Sequence, residues 1–307
     1  MESILHIGNI AGVPQVLSKA QRKMGLKSDI LSFDSNLFEY NIDFYYPTKL
    51  PFPLRSVEKI FKFRSISNKY DVFHFHYSSI LPFGVDIPIW KIQKKKVIIH
   101  HHGSDIRNKE ELRMYKKFAD KIIVSTPDLL KWSPDAIWVP NPISIEDFSY
   151  VGNENKDKSE EINIVHAPSN RAKKGTEHVI KAIERLKSEG YKINFMLIEH
   201  MPYNKAIEFY KKADIVIDQL LIGWYGMFAM ECMAFGKPVC SYISDNLESY
   251  MPFNPIINTS PGNIVENLRI LIEDRSLRKE AGDKGRKYII EMHDANKIAK
   301  QLINFYR

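Results

Sequence analysis

The stretch ADIVIDQLLIGWYGMFAMECMAFGKPV, residues 213–239, most narrows what this chain can fold into. Residues 215–220 form a short apolar run with β-branched side chains, bounded by charge before and glycine after, as suits a buried parallel strand. Gly223 and Gly226 then flank two aromatics, and from Met227 the pattern turns helical, apolar on all sides with Glu231 as its one carboxylate. Gly236-Lys-Pro stops that helix and Val239 opens another strand. Strand, glycine turn, buried helix, strand is the unit of an open α/β sheet. Its turn amides and helix N-terminus face the crevice beyond the strand ends, where anions bind. A carboxylate inside such a helix needs a cation or a polar cavity. A salt-bridged packing glutamate and an acceptor for a ribose diol both meet that need.

At 307 residues the chain exceeds the usual single-domain size, and two α/β domains of about 150 residues each are the natural division. Cys232 and Cys240 are the only cysteines, both in apolar surroundings, which argues for buried free thiols in a reducing compartment. The start, MESILHIGNI, lacks a basic region and a long apolar run, and no later segment is long enough to span a bilayer, so a cytoplasmic location is expected. Most of the net charge of +7 falls in residues 1–150, with 21 Lys and Arg against 16 Asp and Glu. Such a half suits an anionic lipid surface or nucleic acid, and no nucleic-acid motif is visible.

In the first half, residues 4–7 read as a strand ending at Gly8. Gly12 then precedes a helix through Val16, Leu17 and Ala20, although Gly-x-x-x-Gly lacks the dinucleotide fingerprint spacing. Residues 29–33 and 42–46 read as further strands. Residues 54–69 place Leu54, Val57, Ile60 and Phe61 on one helical side and Arg55, Lys59, Lys62, Arg64 and Lys69 largely elsewhere. That is either a solvated basic face or a helix for an anionic membrane, which Lys94-Lys95-Lys96 could join. DVFHFHY and KVIIHHHG look like successive parallel strands, with His74 and His76 sharing one face and His100 and His102 likewise. No acidic or thiol ligand stands near them at a recognisable spacing, so no metal is expected. His102, beside Gly103 and Asp105 at the strand's carboxyl end, should reach the crevice as a neutral hydrogen-bonding group. The other histidines would be core residues with satisfied nitrogens. Asn108 reads as the cap of a helix over 110–119, and strands follow at 121–125 and 136–139.

Residues 151–161, VGNENKDKSEE, are polar and without periodic apolar positions, and read as an interdomain linker. A fresh alternation begins at Ile162. Arg171, Lys173 and Lys174 lie in the strand-to-helix loop just before Gly175, where cations can grip a diphosphate from the carboxyl edge of the sheet. A solvated basic loop is the plainer reading. Two cation-and-amide devices in consecutive crossovers of one sheet would converge on the same edge.

HAPSNRAKKGTEHVIKAI, GWYGMFAMECMAFGKPV and LRKEAGDKGRKYIIEMHD together resemble the family-4, GT-B-fold retaining glycosyltransferases, and DVFHFH, HHHGSD and ADKIIVST follow that family's first-half segments in order. The resemblance covers nearly the whole chain and implies two Rossmann-like parallel-sheet domains facing a cleft. Residues 1–150 would form the acceptor domain and 162–291 the donor domain, with a last helix in 292–307 packing back on the first. It implies a nucleotide-sugar donor, UDP- or GDP-linked, as substrate, no cofactor, and a glycan or lipid-linked acceptor. Arg171 and Lys174 match the diphosphate-binding pair, Glu231 the ribose-binding second glutamate of an E-x7-E motif, His102 the histidine near the transferred sugar, and Gly12 the first-loop glycine near the phosphates.

The first motif glutamate is replaced by Gly223, and Asp218 with Gln219 could supply the missing polar contact. Developing charge on the leaving diphosphate would meet Arg171, Lys174 and the helix amides of Gly226 and Met227. Front-face attack would explain the lack of a paired acid and base, with Asp105 as an acceptor-side base. A non-catalytic donor-binding protein and a nucleotide-sugar epimerase are the alternatives. Docking at the inner face of the membrane through the basic first half is a further expectation.

Overall fold

The structure, a computed structural model, describes residues 2–9, 11–34, 41–152 and 161–307. The core of the expected linker, residues 153–160, lies outside them. The chain divides into two compact units, Met1–Ser144 with Asp294–Arg307, and Ile145–His293. Residues 145–152 belong to the second unit for physical reasons. Phe148 packs edge-on against Phe235 at 5.1 Å, and the amides of Val151 and Gly152 both donate to the Phe235 carbonyl.

The first unit holds seven parallel strands: β1 (Ser3–Ile7), β2 (Lys27–Ser32), β3 (Phe44–Tyr45), β4 (Val72–His76), β5 (Lys96–His101), β6 (Lys121–Val124) and β7 (Ile137–Trp138). Their order is β3-β2-β1-β4-β5-β6-β7, so the winding reverses between β1 and β4. Alternation along the strands sorts the two faces. Phe73, Phe75, Val97 and Ile99 enter a core with Phe63 and Trp90, whose rings meet edge-on at 4.7 Å. The opposite face of β1, β4 and β5 carries His6, His74, His76 and His100, all buried. Over it lie the helix Val13–Lys23 and the last helix, Ala295–Tyr306, which close on each other through Ala20, Ala295 and Ala299. Small side chains at that seam permit close backbone approach.

One local expectation fails here. The helix after Asn108 starts only at Arg113, because Asn108 itself takes a left-handed conformation (φ 60°) and Leu112 is the capping position. In the helix Leu54–Ser67, Phe63 and Ile66 take the buried side, leaving Leu54, Val57 and Phe61 exposed.

The second unit has five parallel strands: β8 (Ile162–His166), β9 (Ile193–Leu197), β10 (Ile215–Ile217), β11 (Val239–Ser241) and β12 (Ile257–Asn258), ordered β12-β11-β10-β8-β9. Winding reverses between β8 and β10, which makes their carboxyl ends the crevice where open α/β sheets take ligands. Behind β10 the helix Met227–Ala234 is buried at every residue after Met227, explaining its apolar surface all round. The helix Arg275–Met292 lies against its end, with Gly285 facing Met233 and Gly282 facing the Gly236 carbonyl. A Cβ at 282 would overlap that carbonyl, a backbone atom that cannot step aside. Gly282→Ala is therefore expected to cost about 2 kcal/mol or more by overpacking, read as a lower urea midpoint at unchanged slope.

Candidate functional site

The carboxyl ends of β8 and β10 are tied together by one side chain. Asp218, fully buried one residue after β10, accepts a hydrogen bond from Lys174 Nζ at 2.6 Å and another from the Gly226 amide at 2.6 Å. Lys174 ends the short helical turn Arg171–Lys174 that Asn170 caps by accepting from the Lys173 amide, and Gly226 caps the helix Met227–Ala234. One carboxylate thus brings both crossover loops to the same point at the switch in winding. The Lys174 ammonium lies so close to Gly226 that a Cβ there would sit 3.1 Å from it. Glycine at 226 keeps backbone, ammonium and helix N-terminus together, a concentration of positive potential suited to an anion.

Arg171 is differently placed. Half-exposed, it forks onto Glu199 just beyond β9, Nε at 2.9 Å and Nη2 at 2.5 Å. Glu231 is buried one turn into its helix and accepts from the Tyr203 hydroxyl at 2.9 Å; among the described residues it has no cationic partner. Burial pushes its carboxyl up to about 7, against the Tyr203 hydrogen bond, which favours the ionised form.

Gln219 is not available to a ligand, contrary to expectation. Its carbonyl accepts from the Leu221 and Ile222 amides, and its nitrogen donates to the Trp224 and Tyr242 carbonyls, so its bonding capacity goes into shaping the loop. Gly223 adopts φ 91°, and a Cβ there would meet Ser244 Oγ at 2.5 Å. A glutamate at 223 would be strained at that φ and would have to displace the Ser244 hydroxyl. His166 adds a support that sequence reasoning missed. Buried and held neutral by burial, it spans from the Ile217 carbonyl (2.7 Å) to Thr176 Oγ1 (2.9 Å), locking β8 to β10 and to the helix after Gly175.

In the first unit Gly12 is left-handed (φ 71°) and caps the helix Val13–Lys23. Before it, Asn9 has both amide atoms shielded from solvent and without a partner. His102 is half-buried; its Nε2 lies 3.0 Å from His76 Nδ1, and burial lowers it to about 4. Asp105 accepts from the His102 and Gly103 amides with one oxygen and meets His101 Nδ1 at 2.6 Å with the other. Burial opposes ionisation of Asp105, but the His101 contact prevails and holds it below the usual carboxylate range. His101, clamped between Asp105 and Glu111, is raised to about 9 although burial works against its charge.

No family model matches the chain, and no curated protein sequence matches it. Solved structures do resemble it. Sucrose-phosphate synthase from Thermosynechococcus elongatus aligns over 100% of this chain and 98% of its own, with TM-score 0.68 and 17% identity. The catalytic domain of starch synthase IV from Arabidopsis thaliana, bound to ADP and acarbose, aligns over 99% and 98%, with TM-score 0.73 and 10% identity. An α-glucosyltransferase in complex with UDP and DNA aligns over 100% of both chains, with TM-score 0.70 and 12% identity. At such identities the likeness is one of fold, and the fold is GT-B, with two parallel sheets of seven and five strands.

Glu231 offers a test of the second unit's site. Its side chain ionises near 4.5 unless the fold raises it to about 7. Between those values the folded chain holds a proton that the unfolded chain has released, so this residue's contribution to stability declines as pH rises through the window and is lowest above 7. Glu231→Gln should add about 1–3 kcal/mol at about pH 8 and little at about pH 4.5, as measured by urea unfolding.

Proposed function

We propose that the protein is a glycosyltransferase that moves a sugar from a nucleoside-diphosphate sugar, UDP- or GDP-linked, to a glycan, lipid or small-molecule acceptor, with retention of anomeric configuration. The observation that carries this reading is the convergence of Lys174, Asp218 and the Gly226 amide at the switch in winding of the second sheet. In the proposed complex the diphosphate lies against Lys174 and the amide of Met227 at the helix start, which Asp218 fixes through the Gly226 amide. Arg171 exchanges Glu199 for a phosphate oxygen, a change its exposure makes easy. Glu231 accepts from the ribose hydroxyls about one helical turn away from the pyrophosphate. Charge developing on the leaving diphosphate is then met by groups already in position, without a metal ion at that point. Asp218 acts by positioning Lys174 and the helix start.

In the first unit we assign His102 to the sugar side as a neutral hydrogen-bonding group, and Gly12 to the loop nearest the phosphates. Asp105, first considered as a base, is better assigned to holding the His102 loop. Its oxygens are engaged and its affinity for a proton is low.

Incubating the purified protein with a panel of nucleotide sugars and acceptors tests the reading. Transfer or donor hydrolysis is expected, with Lys174→Met reducing turnover at least about 100-fold. Isomerised donor would instead identify an epimerase, and binding without turnover a donor-binding regulatory protein. DNA belongs in the acceptor panel. The lack of a nucleic-acid motif had spoken against it, and the α-glucosyltransferase crystallised with DNA removes that exclusion.

We also propose that the first unit docks peripherally on anionic membrane at the cytoplasmic face. The helices Leu54–Ser67 and Ile87–Ile92, neighbours through the Phe63 and Trp90 rings, expose Phe61 (74%) and Ile92 (82%). Lys59 lies on the first helix and Lys94 beside the second, while Lys91 is paired with Asp120. No helix among the described residues is long and apolar enough to cross a membrane. Apolar tips among lysines suit an interfacial depth. Phe61→Ser with Ile92→Ser should cut co-sedimentation with anionic liposomes several-fold, and unchanged pelleting would remove this surface from consideration.

A further inference from the structure

The buried histidines of the first unit form a single connected array. Strand register sets His6 beside His74 and His76 beside His100. The rings stack in pairs, His74 with His76 at 4.4 Å and His100 with His102 at 4.3 Å. Two sets of three present one ring nitrogen each within 4.8 Å of one another: His6, His74 and His76, and His76, His100 and His102. Hydrogen bonding separates the two sets. In the first, all six ring nitrogens have partners, since His6 bridges Gln21 and His76, His74 bridges Tyr306 and His100, and His76 bridges His6 and His102. In the second, His100 Nε2 is buried without a hydrogen-bond partner among the described residues.

We propose that His76, His100 and His102 form a binding site for one divalent transition ion of the zinc type.

Three features of the array support this assignment. A donor set of imidazoles alone selects zinc, copper or nickel over magnesium or calcium, which want oxygen. The lone pairs are available because burial, reinforced by the neighbouring rings, pushes His76 and His100 well below the usual imidazole range. The remaining nitrogens are oriented from behind, a hallmark of metal-ligating histidines. An ion on His76 Nδ1 leaves Nε2–H to donate to His6 Nδ1, 2.9 Å away, with His6 in turn held by Gln21. An ion on His100 Nε2 leaves Nδ1–H to donate to His74 Nε2 at 3.2 Å, with His74 held by the Tyr306 hydroxyl. Tetrahedral zinc with bonds of about 2.0–2.1 Å spaces its ligands about 3.4 Å apart. The His76 to His102 separation of 3.0 Å therefore need open only slightly to admit the ion. Half-buried His102 provides the route in and leaves the fourth position to water.

Such an ion would organise the loop that starts at His102. His102 is shared with the proposed sugar side, where its Nδ1 would serve while Nε2 holds the ion, but the test reads metal binding and not sugar transfer, so either proposal can fail alone. The test uses the whole chain, stripped with chelator and then titrated with Zn²⁺ by calorimetry and with Co²⁺ by visible absorption. One ion per chain is expected, with intense tetrahedral d–d bands for cobalt and a thermal midpoint that rises with zinc. His100→Gln and His102→Gln should abolish that site, and His6→Gln, behind the ligands, should weaken it about 10-fold or more. Far-ultraviolet circular dichroism checks the fold of each variant, and His102→Gln, at the edge of the array, keeps the test valid should His100→Gln misfold. Absence of saturable binding overturns the proposal. So does binding left intact by His102→Gln, which would assign the ion elsewhere.

Discussion

Asp218 is the constraint on which the second unit depends. A carboxylate with no solvent exposure survives only if its oxygens are engaged, and these are, by an ammonium and by a backbone amide. Removing one partner of such a pair typically costs about 3–5 kcal/mol, because the other charge is left stranded. The geometry that results is rigid. β10 ends at Ile217, the next residue grips both crossover loops, and the residue after that, Gln219, spends its hydrogen bonds on residues 221–224 and on the Tyr242 carbonyl. Two consecutive buried polar side chains therefore set the strand end, the loop and the helix start.

The two cations of the Arg171–Lys174 turn differ for the same reason. Lys174 is largely buried and faces a buried partner, whereas Arg171 and Glu199 meet near solvent, where ion pairs are weak and readily exchanged. A fixed charge beside an exchangeable one suits a ligand that must bind and leave. The first unit has no counterpart to this pairing in its histidine array, where uncharged imidazoles are organised by one another, by Gln21 and by Tyr306. That last residue lies in the returning C-terminal helix, so the end of the chain completes the array begun at β1.

Much of this was legible in the sequence, and the exceptions share a cause. The strand, glycine turn and buried helix around Glu231 could be read locally because each has its own period and punctuation. The period of two likewise put His74 with His76 and His100 with His102. What could not be read was anything set by sheet order. That Lys174 meets Asp218, 44 positions away, follows from β8 pairing with β10. That Arg171 meets Glu199 follows from β9 lying on the other side of β8. The histidine array needs β1, β4 and β5 to be neighbours, which no local pattern reveals. The buried side of the helix Leu54–Ser67 was not legible for a different reason. Apolar residues occupy more of its circumference than one face, so periodicity could not decide that Phe63 and Ile66, and not Leu54 and Phe61, would be buried.

Gly223 links the local geometry to the choice of donor sugar. The resemblance calls for a carboxylate there, yet the backbone has turned left-handed and closed onto Ser244, whose amide donates to the Gly223 carbonyl at 3.0 Å. Substitution alone could not restore the acid, because the loop is built around its absence. Neither Asp218 nor Gln219 is free to stand in for it, since both are fully buried and already bonded to protein groups. In the proposed reading, hydroxyls of a transferred sugar would have to be met by backbone groups of the 221–226 loop. Backbone groups discriminate by position more than by charge. In the proposed reading the departure from the motif therefore bears on which sugar is held, while Lys174, the helix start at Met227 and Glu231 remain in place for the diphosphate and ribose.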